Sequence, residues 1–160
     1  MGVLVDISNM YHSAKNLYGK KVNFGEILKK SVAGRKLIRA VAYGIKTESN
    51  DETNFFEALS QQGFEVKMKD LQIFAGGAKK ADWDVGIAID AIKIADKVDV
   101  VILVSGDGDY LPMVSYIQNT KGCLVEIVGF RKTTSSKLIE EADDYLDLSE
   151  DKKFLIKKYN

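Results

Sequence analysis

Val100-Val101-Ile102-Leu103-Val104-Ser105-Gly106-Asp107-Gly108-Asp109-Tyr110-Leu111-Pro112-Met113 is the stretch whose reading decides the fold. Five aliphatic residues run without alternation into a polar, glycine-rich corner. A short apolar run bounded by turn residues suits a parallel strand buried on both faces. Leu111, Met113, Val114 and Ile117 then recur at helical spacing. Open parallel sheets bind ligands in the crevice at the carboxyl ends of their strands, which is where Asp107 and Asp109 fall. A single Asp there is an ordinary helix cap. Two in Gly-Asp-Gly-Asp repel each other unless water or a cation relieves them. Hard carboxylate oxygens suit Mg²⁺ or Mn²⁺.

Working outward, strand-like runs alternate with helical patterns. Gly2–Ile7, Leu37–Tyr43, Phe64–Met68, Val100–Val104 and Cys123–Val128 read as strands, with a short edge strand at Tyr145–Leu148. Helices are expected from Ser8 or Asn9 through Leu17, after the cap Asn23, over Glu52–Gln62, Asp82–Val98, Tyr110–Thr120 and Ser135–Ala142. On Asp82–Val98 the residues expected to face the sheet are Val85, Ala88, Ile89, Ile92 and Ala95. Ile73–Ala81 reads as a flexible connection. The alternation predicts an α/β fold, a mainly parallel sheet with helices on both faces and right-handed crossovers. Strand order 3-2-1-4-5 puts the first and fourth strands side by side at the switch point. One domain is expected over residues 1–148, with 149–160 a short basic helix or tail.

Lys plus Arg and Asp plus Glu each number 23, so net charge selects no partner. The single Cys123 excludes a disulfide framework and fits a reducing, cytoplasmic compartment. Cysteine and histidine are too few for a zinc site. No signal peptide is apparent, and no apolar run nears the roughly 18 residues of a membrane span, so no membrane association is expected.

Both strands at the expected switch point end in aspartate, Asp6 and Asp107. A buried carboxylate needs a partner. Asn9 can reach the same crevice from the first helical turn, or serve as a cap. In Lys80-Ala81-Asp82-Trp83-Asp84, Asp82 reads as the N-cap and Asp84 as able to point over the strand ends. Asp90 sits among apolar residues and faces either solvent or the acidic group. Converging Asp6, Asp84, Asp107 and Asp109 would hold one or two Mg²⁺ or Mn²⁺ ions. Such ions activate water and steady a leaving oxygen in phosphodiester hydrolysis. Lys46, Lys79, Lys80, Arg131 and Lys132 follow strands and form a basic rim suited to a phosphodiester backbone. Tyr110, Phe74 and Phe130 are candidates for stacking on single-stranded bases, Tyr110 also for the core. His12, the lone histidine, reads as structural or groove-lining.

These pieces together resemble a NYN domain of the LabA-like branch of the PIN-like nuclease superfamily. The matching segments are Val5-Asp6-Ile7-Ser8-Asn9, Lys80-Ala81-Asp82-Trp83-Asp84-Val85 with Asp90, and Val104-Ser105-Gly106-Asp107-Gly108-Asp109-Tyr110 with Pro112. Gly122, Val125, Gly129 and Ala142-Asp143-Asp144-Tyr145 follow, so nearly the whole chain is covered. The resemblance implies an α/β/α sandwich, the capacity to form a homodimer, and a metal-dependent ribonuclease acting on single-stranded or structured RNA. Its acidic cluster maps onto Asp6, Asp84, Asp107 and Asp109, with Asn9 and Ser105 in support. Lys80 stands four residues before Asp84 with Asp82 between, which leaves Asp82 and Asp84 as alternative ligands. The second reading is a non-catalytic RNA- or protein-binding regulatory module that keeps the acidic pocket. A phosphatase of the haloacid dehalogenase type needs a second Asp two residues after Asp6, where Ser8 stands.

Overall fold

Gly2–Asp6 (β1) is buried along its whole length, as only a central strand covered on both faces can be. Arg39–Lys46 (β2), Glu65–Asp70 (β3), Val100–Val104 (β4), Leu124–Gly129 (β5) and Asp144–Asp147 (β6) join it. The sheet runs β3-β2-β1-β4-β5-β6, and every pairing is parallel. The computed structural model describes residues 1–46, 51–73, 79–80 and 82–156, and for residues 51, 72, 73, 79 and 80 the backbone alone.

Side chains alternate across the sheet. Val3, Val5, Ala40, Ala42, Ile102 and Val104 point into one core, with Ile7–Tyr18 (α1), Phe24–Val32 (α2) and Asp51–Gln61 (α3). Leu4, Val41, Tyr43, Val101 and Leu103 point into the other, with Asp84–Ala95 (α4), Leu111–Tyr116 (α5) and Ser136–Glu141 (α6). The result is the expected α/β/α arrangement. Val5 pairs with Ala42 on one side and Val104 on the other. The chain turns outward from β1 to β2 and β3, then returns to β4 on β1's far side. The β1–β4 junction is therefore the switch point, and Asp6 and Ser105 emerge from it side by side.

The detail differs from the expected strand order in three ways. The edge strand is a full sixth member of the sheet. Lys21–Val22 pairs antiparallel with Leu155–Ile156, outside the sheet. Gln72–Ile73 pairs with Lys79–Lys80, so part of the expected flexible connection is a ribbon. Residues 74–78 and 81, with Phe74 among them, lie outside the described residues.

Two helical expectations are corrected. On α4 Ile87, Ala91, Ile94 and Ala95 are buried, and of the residues expected inward Ala88 and Ile92 also pack, partly buried, against this core, while Val85 is 72% exposed and Ile89 is exposed as well. The helix is apolar almost all round, so two stripes compete. Trp83 Nε1–H donates to the Gly44 carbonyl at 2.8 Å and Asp90 accepts from Tyr43, and these contacts set the rotation. Residues 149–156 form no α-helix. Asp147 and Asp151 each cap a single 3₁₀ turn, and Phe154 is drawn into the core. Burying a Phe is worth about 1.5–3 kcal/mol, more than one further helical turn. Among the described residues no helix is long and apolar enough to cross a membrane.

Candidate metal centre

Asp6 closes β1 and caps α1. Its Oδ1 accepts from the Asn9 backbone N–H at 3.2 Å. Its Oδ2 accepts from the Tyr110 hydroxyl at 3.1 Å, and the carboxyl is buried. The same hydroxyl lies 3.1 Å from Oδ1 of Asp84, to which it also donates. A phenol has one proton, so the two carboxylates share a single donor. Burial pushes Asp6 above the usual carboxylate range, and the charges of Asp84 and Asp107 add to this, against its hydrogen bonds to Asn9 and Tyr110. Asp84 is pushed up too, by burial first and then by Asp107, Asp82 and Asp109, against its bond from Tyr110. Burial and the two carboxylates drive the Tyr110 phenol far above its ordinary value, so it stays protonated.

Asp107 follows β4. Its Oδ1 accepts from the Asp109 backbone N–H at 2.9 Å, which starts the turn Gly108–Tyr110. Its own N–H donates to Oγ of the buried Ser105 at 3.2 Å. The Asn9 side-chain oxygen accepts from Gly106 N–H at 3.0 Å, tying α1 to this loop across the switch point. A Cβ on Gly106 would clash with the Thr133 carbonyl, and Ser135 N–H bonds the Gly106 carbonyl at 2.9 Å, so only glycine fits. Asn9 and Ser105 thus act on the site through the backbone of residues 105–109.

Asp84, Asp107 and Asp109 each offer a carboxylate oxygen, all within 4.8 Å of one another. Asp6 stands outside that trio, joined to it through the Tyr110 hydroxyl. Among the described residues no lysine or arginine forms a salt bridge with any of the four. An all-oxygen, multiply anionic donor set fits a hard divalent cation such as Mg²⁺ or Mn²⁺.

The profile of the NYN domain matches residues 1–149. The chain belongs to the NYN domain family. It falls in the LabA-like branch of the PIN-like nuclease superfamily. It is 26% identical over 128 residues to the low amplitude and bright protein LabA of Synechococcus elongatus, covering 76% of this chain and 68% of that protein. It also resembles the crystal structure of a protein of unknown function from Vibrio parahaemolyticus, with a TM-score of 0.89 and 35% identity. That likeness spans 97% of this chain and 94% of the other.

Within this NYN domain the two alternative ligands separate. Trp83, not Asp82, stands at the N-cap of α4; Oδ1 of Asp82 accepts from the Asp84 backbone N–H at 3.1 Å just ahead of the helix, and Asp84 enters the acidic trio while Asp82 does not. Asp90 does not join the cluster. It takes the Lys67 ammonium at 2.7 Å and the Tyr43 hydroxyl at 2.9 Å. Lys46 and Lys132 are exposed. Lys79 and Lys80 are placed by backbone only. Arg131 is held by Asp147 at 3.1 Å and lies 5.2 Å from the Tyr145 ring. Tyr110 and Phe130 are buried and unavailable for stacking, Phe130 lying edge-on to Tyr18 at 5.5 Å. His12 is exposed beside Tyr11.

Sequence reasoning had no role for the Tyr110 hydroxyl in the centre. The available signal was a phenol directly after two acidic positions, where a phenylalanine would fill the same core space. Lys69 was missed as well. Its ammonium bonds the Asp82 carbonyl at 2.9 Å and sits 4.7 Å from the Trp83 ring, bracing the start of α4.

Proposed function

We propose that this NYN domain is a Mg²⁺- or Mn²⁺-dependent ribonuclease. The observation that carries the reading is the trio Asp84, Asp107 and Asp109, close together and, among the described residues, without a salt bridge from any lysine or arginine. Asp84, Asp107 and Asp109 would hold the ion. When bound, it supplies an activated water and charge stabilisation for phosphodiester hydrolysis. Asp6 keeps Tyr110 in place, and Tyr110 Oη holds a proton between Asp6 and Asp84. Asn9 and Ser105 fix the loop carrying Asp107 and Asp109, so these carboxylates need not reorganise. Lys46 and Lys132 are exposed and suited to phosphates of a bound strand, and Lys79 and Lys80 belong to the same proposed rim. RNA is the proposed partner and the cytoplasm the proposed compartment.

The test is cleavage of a labelled RNA panel by purified protein with Mn²⁺, Mg²⁺ or chelator. The expected result is cleavage that needs the metal and disappears in a folded Asp107→Asn variant. Metal uptake with no cleavage of any RNA would overturn catalysis and leave a binding module. Full activity in the variant would remove Asp107 from the machinery.

A further inference from the structure

Trp83 is the chain's single tryptophan, and it stands at the N-cap of α4, one residue before Asp84. An N-cap usually satisfies the first free backbone N–H groups through a short polar side chain. An indole has no acceptor for those bonds, and none is made to it here. Its Nε1–H instead donates outward, to the Gly44 carbonyl at 2.8 Å. That carbonyl lies on β2 just beyond Tyr43, the residue opposite which β1 ends at Asp6. The indole therefore ties the first turn of α4 to the carboxyl end of the sheet.

The ring is held by its neighbours. Tyr43 lies 5.3 Å away at 58°, and the Lys69 ammonium 4.7 Å from the ring, while the same ammonium bonds the Asp82 carbonyl at 2.9 Å. Gly86 leaves the six-membered ring its room: a Cβ there would lie 2.7 Å from Cε3 and 3.0 Å from Cζ3. The Trp83 carbonyl accepts from the Ile87 N–H at 2.7 Å and so opens the helix. An indole pinned in this way serves the fold, not a stacked base.

The pin matters because the core does not set the direction of Asp84. Val85 and Ile89 stand exposed on α4, although either would suit the interior. A slip of one position turns a helix by about 100°. That is enough to carry Asp84 away from oxygens now within 4.8 Å of its own. A site for a cation needs its ligands held within about 0.5 Å. An apolar stripe is not that selective, whereas a hydrogen bond between fixed atoms is directional. The other polar contact that orients α4, from Tyr43 to Asp90, lies further along the helix.

We propose that Trp83 is a positioning residue of the metal centre. Its indole N–H, bound to Gly44, fixes the rotation of α4 and so aims the Asp84 carboxylate at Asp107 and Asp109. The inference rests on the cation-site reading of that trio. Trp83 has no ligand atom of its own and acts through Asp84.

The experiment follows free Mn²⁺ by electron paramagnetic resonance and, without metal, the exchange of the Ile87 amide by NMR. Trp83→Phe keeps an aromatic ring and lacks the N–H. It is expected to bind Mn²⁺ about tenfold to a hundredfold more weakly, with faster exchange at Ile87. Phe154→Leu, a change in the core on the other side of the sheet, controls for lost stability and should bind Mn²⁺ as the wild type does. Gly86→Ala should weaken Mn²⁺ binding by displacing the ring. Added to Trp83→Phe, it should change nothing further, because Cε3 and Cζ3 are gone. Thermal melting shows which variants are folded. Wild-type Mn²⁺ affinity in folded Trp83→Phe overturns the proposal, as does unchanged Ile87 exchange or an equal loss of affinity in Phe154→Leu. If Trp83→Phe does not fold, Gly86→Ala decides: unchanged Mn²⁺ binding there overturns the proposal. A wild type that takes up no Mn²⁺ sinks the cation site and the role of Trp83 in it, whereas a wild type that binds, with variants that bind equally, sinks Trp83 alone.

Discussion

Two sites in this molecule begin with the same chemistry and end in opposite states. In each, a buried tyrosine hydroxyl donates to an aspartate on α4: Tyr110 to Asp84 at 3.1 Å and Tyr43 to Asp90 at 2.9 Å. Burial alone would raise both carboxylates, but Asp90 ends up below its ordinary value, through its bonds from Lys67 and Tyr43. Asp84 ends up above it, where Tyr110 opposes burial but Asp107, Asp82 and Asp109 reinforce it. Among the described residues the difference is a cation. Asp90 has the Lys67 ammonium at 2.7 Å, and Asp84 has two more carboxylates within 4.8 Å. A fold able to set a lysine against one aspartate of α4 has left the other in a negative cluster. That contrast is the physical content of the metal-centre reading.

The largest effect that could break the contrast is on chemistry. Asp107→Asn should lower Mn²⁺-dependent RNA cleavage about a thousandfold or more, as loss of metal-ion catalysis does, whereas Lys67→Met should leave cleavage within a few-fold. A thermal melt of each variant shows whether either has merely unfolded. Next, Mn²⁺ at a hundredfold excess over its dissociation constant should stabilise the wild type by about 2.7 kcal/mol. The same addition should do little for Asp84→Asn, as urea melts with and without the ion would reveal.

Removing the two hydroxyls compares the sites directly. Tyr110→Phe takes from Asp6 and Asp84 their only side-chain donor among the described residues, and should cost about 1–2 kcal/mol without metal. Tyr43→Phe leaves Asp90 its lysine and should cost less, by roughly 1 kcal/mol. Equal losses in chemical denaturation would erase the distinction.

The smallest effect is in pH. Asp6 and Asp84 have folded-state values raised above 3.8, so their contribution to stability is present below that value and is lost as pH rises through the raised ones. Asp90 and Asp147 are lowered, so theirs is present above 3.8 and is lost as pH falls through the lowered ones. Metal-free Asp84→Asn should therefore lose less stability than the wild type between about pH 4 and pH 7. A parallel pair of stability curves would contradict this.

Much of the fold could be read from residues because its signals are local. The unalternating run Val100–Val104 declares a strand covered on both faces, and Asp6 and Asp107 stand out because each ends such a run. Asp84 as the group over the strand ends also follows from its place at a helix start, whereas the N-cap expected at Asp82 falls at Trp83. What could not be read depends on partners distant in sequence. The rotation of α4 is ambiguous in a helix apolar on nearly every side, and contacts to Gly44 and Tyr43 decide it. Asp90 finds Lys67 across the β2–β3 edge, 23 residues away in sequence. Tyr110 looks like core because its ring is core, and only its oxygen belongs to the site. Ser149, Glu150 and Asp151 mimic a helix start, but Phe154 gains more from the core than from another turn.

The central claim is that Asp84, Asp107 and Asp109 form a cation site built by the fold. Titration of the protein with Mn²⁺, followed by the electron paramagnetic resonance of the free ion, tests it without reference to any substrate. The wild type should remove Mn²⁺ from the free signal in a saturable way, and folded Asp84→Asn and Asp107→Asn should each bind at least about tenfold more weakly. A wild type that leaves the free-ion signal unchanged, or variants that bind as it does, would contradict the account.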